Sequence, residues 1–175
     1  MARYPQVVII GDAGAAGEKY EAAYHTGKVL GALGAVVITG GRGGVMEAAS
    51  KGAMEAGAIT VGIVPGSSMG ESNAYCKVVI PTALGHGRNA LTPLSADIVI
   101  CIGGGAGTLS EMAFAWIYDK PIIALLGHGG WSDALGGEMI DQRRLERIIP
   151  CQNVDELRLR VIELVQDLDL NFHPD

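Results

Sequence analysis

Aromatic side chains are scarce: Phe, Trp and Tyr make up 5% of the 175 residues. A core must then be built from Val, Ile, Leu, Ala and Gly. Long basic runs are missing too; Arg143-Arg144 is the longest, and the net charge is −6. A balance of that sign argues against nucleic acid or an acidic membrane surface as partner, while leaving room for a local basic pocket. No apolar run is long enough to span a membrane, and Met1-Ala2-Arg3-Tyr4-Pro5 has no apolar signal region. Three scattered cysteines, Cys76, Cys101 and Cys151, form no CxxC. Neither a metal site nor a disulfide framework is indicated, and a reducing cytoplasm is the expected setting. Cys101, mid-strand, reads as a small core residue.

Common cofactor signatures are also lacking. Gly11, Gly14 and Gly17 are spaced GxxGxxG, not GxGxxG, and no acidic residue ends the second strand. That speaks against NAD or FAD. No GK[ST] follows a loop, which disfavours an ATPase. None of the five lysines (Lys19, Lys28, Lys51, Lys77, Lys120) stands near a glycine loop in the sequence in an obvious way, so a pyridoxal-phosphate decarboxylase has no candidate.

What the chain does have is two glycine-rich loops, each after an apolar strand and before a helix. The first is Gly40-Gly41-Arg42-Gly43-Gly44; the second is Gly103-Gly104-Gly105-Ala106-Gly107-Thr108. Such loops let backbone N–H groups converge at the positive end of a helix dipole, which suits a phosphate or another small oxyanion. Strand-like runs are Val7–Ile10, Ala35–Thr39, Ile59–Val64, Lys77–Ile80, Ile98–Ile102, Ile122–Leu126 and Arg147–Ile149. Most carry β-branched residues at consecutive positions, the pattern of strands covered on both faces. Helical stripes run over 45–56, 109–118 and 153–168, the last with Asn153 as N-cap and Glu156 at the capping-box spacing. The alternation predicts an α/β fold: a doubly wound, mostly parallel sheet of about seven strands with helices on both faces, as one domain over 1–175. Ligands in such sheets bind beyond the carboxyl ends of the strands, where both loops fall. The tail 169–175 is expected to be loose. The glycine-rich stretch 127–137, with His128 and Trp131, reads as a mobile flap or an interface loop.

Each candidate has a plainer reading beside it. Gly40–Gly44 can be a tight strand-to-helix turn. Arg42 can meet ligand or solvent. Thr108 and Glu111 have capping-box spacing, so Glu111 can cap its own helix or face the anion pocket as a functional carboxylate. Arg88 is suited to a phosphate through charge-assisted hydrogen bonds, or can be a solvated surface residue. His86 can donate to the same ligand.

Gly40 to Ala48, then Gly57 and Val61-Gly62-Ile63-Val64-Pro65, resemble the first half of the Lonely Guy (LOG) family, often labelled "lysine decarboxylase". Gly87-Arg88-Asn89-Ala90-Leu91, Ser95-Ala96-Asp97 and Gly103 to Glu111, with its GGxGTxxE signature, resemble the second half. The resemblance implies a Rossmann-like fold assembled as a homo-dimer or tetramer. In its enzymes a cytokinin riboside 5′-monophosphate is cleaved to free base and ribose 5-phosphate without a cofactor. By that likeness Arg88 and Glu111 match the catalytic pair, and the phosphate lies on the backbone of Gly105–Thr108. Three departures, Asn89 for Lys, Ile102 for Pro, and Gly11-Asp12-Ala13-Gly14 for a Ser-containing loop, resemble the branch of molybdenum cofactor carrier proteins. Asp12 repels a phosphate unless it contacts a sugar hydroxyl.

The resulting expectation is a protein that binds a phosphorylated small molecule, either molybdopterin (molybdenum cofactor) or a nucleoside monophosphate. The alternatives are a phosphoribohydrolase and a nucleotide sensor without chemistry. The expected ligand-binding set is Gly11, Asp12, Gly40, Gly41, Arg42, Gly43, Gly44, Arg88, Asn89, Gly103, Gly104, Gly105, Ala106, Gly107, Thr108 and Glu111.

Overall fold

A computed structural model describes residues 3–166 and 168. The expected tail 169–175 lies outside the described residues. Seven strands form one sheet: β1 (Gln6–Gly11), β2 (Val36–Thr39), β3 (Thr60–Val64), β4 (Val78–Pro81), β5 (Ile98–Ile102), β6 (Ile122–Leu125) and β7 (Ile149–Cys151). Their order is β4-β3-β2-β1-β5-β6-β7, and every pairing is parallel. The α/β class, the strand number and the parallel sheet are as the β-branched runs predict. Only β7 moves appreciably: it starts at Ile149 rather than Arg147 and takes in Pro150. As an edge strand it can hold a residue without an N–H.

The helices are α1 (Glu18–Ala32), α2 (Val45–Glu55), α3 (Leu91–Leu94), α4 (Ala106–Ile117), α5 (Gly130–Leu135) and α6 (Val154–Gln166). Side chains alternate across the strands. Val7, Ile9, Val37, Ile98 and Ile100 pack with α1, α2 and α6 on one face. Val8, Ile10, Ile38, Val99 and Cys101 pack with Met112, Ala115 and Trp116 of α4 on the other. The small stripe of α2 serves its neighbour helix as much as the sheet. A β-carbon at Gly52 would fall on the Tyr24 carbonyl, and one at Gly27 on the Ala49 carbonyl. Only glycine lets α1 and α2 approach so closely.

Helix α4 buries one side, while Ile117 on the other is 46% exposed. The Asn153 side chain accepts from the Glu156 N–H at 2.9 Å, as the capping spacing predicts. The 127–137 stretch is not a detached flap: α5 lies within it, and the Trp131 and Ser132 N–H groups donate to the carbonyls of Gly104 and Gly103.

The strand order places the site. From β1 the chain winds outward through β2, β3 and β4, then returns to lay β5 on the other side of β1. The loops after β1 and β5 therefore diverge at a topological switch point, where doubly wound sheets form a crevice.

Candidate functional site

A cavity of about 510 Å³ opens at that switch point. The loop after β1 supplies Gly11, Asp12 and Ala13, and the first turn of α4 supplies Gly105, Gly107 and Thr108. Arg42, Met46 and Pro65 close a second side; Gly85, His86, Arg88, Asn89 and Glu111 close the rest. A larger cavity, about 1000 Å³, lies against β6, β7 and α6, lined by Pro121, Ile149, Pro150 and Leu164. It has no glycine loop or paired buried charges, so the smaller one is the candidate site.

Arg88 and Glu111 are the charged groups buried in the cavity wall, 8% and 7% exposed. Arg88 is held in a 3-10 turn, Gly85–Ala90. Its Nη1 stands 3.6 Å from Glu111 Oε1 and donates to Thr92 Oγ1 at 3.4 Å. A pair this loose leaves guanidinium donors for a further acceptor. Burial pushes the Glu111 carboxyl up to about 7, against the pull of Arg88. Burial likewise lowers the Arg88 pKa, although Glu111 counteracts it; an arginine stays charged regardless.

Thr108 does not cap α4. The helix starts at Ala106 with Gly105 as N-cap and no side-chain cap, so Thr108 is already inside the first turn. Glu111 is freed from the capping-box role and turns toward Arg88. The first intrahelical donor outside that turn is the Leu109 N–H, to Gly105 O. The N–H groups of Ala106, Gly107 and Thr108 have no carbonyl behind them within the helix, and the dipole adds positive potential. Asn89 Nδ2 donates to Ser110 Oγ at 2.9 Å and to Gly107 O at 3.5 Å, tying the Arg88 turn to this helix start.

The two glycine loops do different work. Gly40, Gly41, Gly43 and Gly44 do not line the cavity; they build its wall. A β-carbon at Gly40 would fall on the Arg88 guanidinium, and one at Gly44 on the backbone of Asp12 and Ala13. Gly103 and Gly104 are buried behind the lining. The Gly103 N–H donates to Ser132 Oγ at 2.8 Å, and the Gly104 N–H to Asp12 Oδ2 at 3.0 Å. Gly105, Ala106 and Gly107 are exposed at the open end.

Three groups escape a reading of the sequence. Lys19 Nζ reaches Asp12 Oδ2 at 2.5 Å, so one lysine does stand at the second glycine loop. Ser132 and Thr92 each satisfy a neighbour of the site. The only foretaste is chemical: the Asp12 carboxylate beside an anion loop calls for a cation.

The profile of the SLOG cluster4 family matches residues 4–158. The chain belongs to the SLOG cluster4 family. An uncharacterized protein of Archaeoglobus fulgidus is 39% identical over 120 residues, 69% of this chain and 79% of that one. The molybdenum cofactor binding protein of Rippkaea orientalis is 32% identical with a TM-score of 0.80, covering 95% of this chain and 98% of that one. The molybdenum cofactor carrier protein of Chlamydomonas reinhardtii is 30% identical with a TM-score of 0.82, covering 94% and 99%. This SLOG cluster4 chain therefore shares the molybdenum cofactor carrier fold over nearly its whole length. No helix among the described residues is long and apolar enough to cross a membrane.

Proposed function

We propose that the protein binds a phosphorylated small molecule in the switch-point cavity, as a carrier of molybdopterin or its molybdenum cofactor. The observation that carries this reading is the meeting of the open first turn of α4 with the buried Arg88 guanidinium in one cavity. Phosphate oxygens accept from the backbone N–H groups at Ala106–Thr108 and from Arg88, each charge-assisted bond contributing ~1.5–3 kcal/mol. Arg42, exposed at the rim, adds positive potential on the entry side. A cavity of about 510 Å³ suits a ligand with a bicyclic or tricyclic ring system. The carrier proteins of the same fold support the pterin over other ring systems. We infer a cytoplasmic setting, in keeping with its three free cysteines, and no nucleic-acid partner, in keeping with its acidic balance; the homo-oligomer follows from the resemblance to the LOG family alone.

Calorimetric titration with molybdopterin and with AMP tests the reading. Tight binding of the pterin supports it; absence of affinity for either ligand overturns it.

A second reading is favoured by one observation, the Glu111 carboxyl raised to about 7 beside Arg88. Such a group can support glycosidic hydrolysis of a nucleoside 5′-monophosphate: water attacks C1′ as the bond to the base breaks, the ionised Glu111 carboxylate stabilises the oxocarbenium-like charge and takes the proton the water loses, and that proton passes to the leaving base nitrogen. Arg88 binds charge and does not give up a proton. No cofactor is required. Mass spectrometry with AMP decides it: adenine and ribose 5-phosphate released by the wild type and lost in Glu111→Gln make the protein a phosphoribohydrolase.

A further inference from the structure

We propose that Asp12 is a resident anion that limits the site to ligands with a single phosphate, its carboxylate holding the donors a second phosphate would use. This rests on the phosphorylated-ligand reading above and deepens it.

The argument begins with where the loop donors go. Of the second glycine loop, the Gly103 N–H is taken by Ser132 Oγ and the Gly104 N–H by Asp12 Oδ2. At the first loop the leading N–H of α2, that of Val45, donates to the Asp12 carbonyl at 2.9 Å. Asp12 thus spends its backbone on one anion loop and its side chain on the other. The nearby cation goes the same way, with Lys19 Nζ on the same Oδ2 at 2.5 Å. An N–H at a glycine loop and an ammonium group are together the usual seat of a phosphate oxygen. Here a carboxylate occupies that seat, while the next N–H groups along, at the start of α4, stay open.

The carboxylate is charged at neutral pH. Burial pulls its pKa up, but the hydrogen bonds from Lys19 and Gly104, with the Lys19 charge, win and hold it below the ordinary carboxylate value. Asp12 lines the same cavity as Gly105 and Gly107. A first phosphate on α4 has its own donors. A second, extending toward Asp12, meets a like charge and finds Lys19 and the Gly104 N–H already engaged.

The test is calorimetry on the full chain with two probe pairs, AMP against ADP and phosphate against pyrophosphate. Wild type is expected to prefer the single-phosphate member of each pair by about tenfold, the effect of one nearby like charge. Asp12→Asn, which removes the charge and frees Lys19, should narrow the preference to roughly threefold or less. Equal affinities in wild type, or an unchanged preference in folded Asp12→Asn, overturn the inference and leave the phosphorylated-ligand reading standing. No binding of any of the four probes overturns the inference, and the phosphorylated-ligand reading is then decided by the molybdopterin titration. Should Asp12→Asn not fold, the wild-type preference decides alone.

Discussion

The guanidinium of Arg88 fills the space that a β-carbon at Gly40 would occupy. The first glycine loop thus acts through the arginine it admits. Gly40→Ala forces the guanidinium away from Glu111 and Thr92, at a cost of ~1–3 kcal/mol in stability. Thermal melts are expected to show that loss, and AMP titration a drop in affinity of about tenfold or more. An alanine variant with wild-type stability and affinity would show that Arg88 has another place to go.

Protonation of Glu111 sets a stability profile. Its folded pKa, about 7, lies above the ordinary 4.5. The native state therefore holds a proton that the unfolded chain has released between those values. Stability from this group is full below about 4.5 and is lost as pH rises through about 7. The loss amounts to ~3 kcal/mol at most. Glu111→Gln should flatten the denaturation free energy between about pH 5 and 8. A wild-type slope that persists in the variant would assign it to another group.

Replacing Gly52 sets two effects against each other. Alanine gains ~1 kcal/mol of helix propensity. Its β-carbon, though, lands on the Tyr24 carbonyl and close to the Lys28 N–H, backbone atoms that cannot swing aside. Overpacking of that kind costs ~1–3 kcal/mol or more, so Gly52→Ala should lower Tm by several degrees. A raised Tm would mean that α1 slides freely over α2.

Ser132 is fully buried, with its hydroxyl accepting from the Gly103 N–H and donating to the Gly129 carbonyl. Ser132→Ala strands that N–H at a cost of ~1–3 kcal/mol. Faster amide exchange at Gly103, with the strands of the sheet unchanged, is the expected signature. Unaltered exchange there would show that the serine does not pin the loop.

Sequence and structure agree where physics is local. Consecutive β-branched residues in Val7–Ile10 and Ile98–Ile102 mark strands covered on both sides, and both are strands. Asn153 caps α6 as its spacing suggests. Thr108 and Glu111 carry both a capping and a pocket reading; the glycines ahead of them let α4 begin at Ala106, three residues before the capping spacing would, and both residues line the cavity. Helix α1 leaves a faint trace, since its buried positions include Ala23, Thr26, Gly27 and Gly31, a pattern of size rather than of polarity. The grip of Ser132 on Gly103 and the reach of Asp12 to the Gly104 N–H depend on segments distant in the chain meeting in space, which neighbouring residues cannot announce. Arg88 and Glu111 are legible as a pair only through family resemblance.

The switch point also bears on how the site comes into being. The pairing of β1 with β5 joins Val7 to Ile98, across most of the first hundred residues. Closing a loop that long is entropically slow, and it must precede any cavity between the two loops. Residues from Gly11 to Pro65 line the cavity from one side of that closure and residues from Gly85 to Glu111 from the other. Any ligand therefore recognises only molecules whose folding is complete, and its binding energy is felt by the whole sheet rather than by one loop.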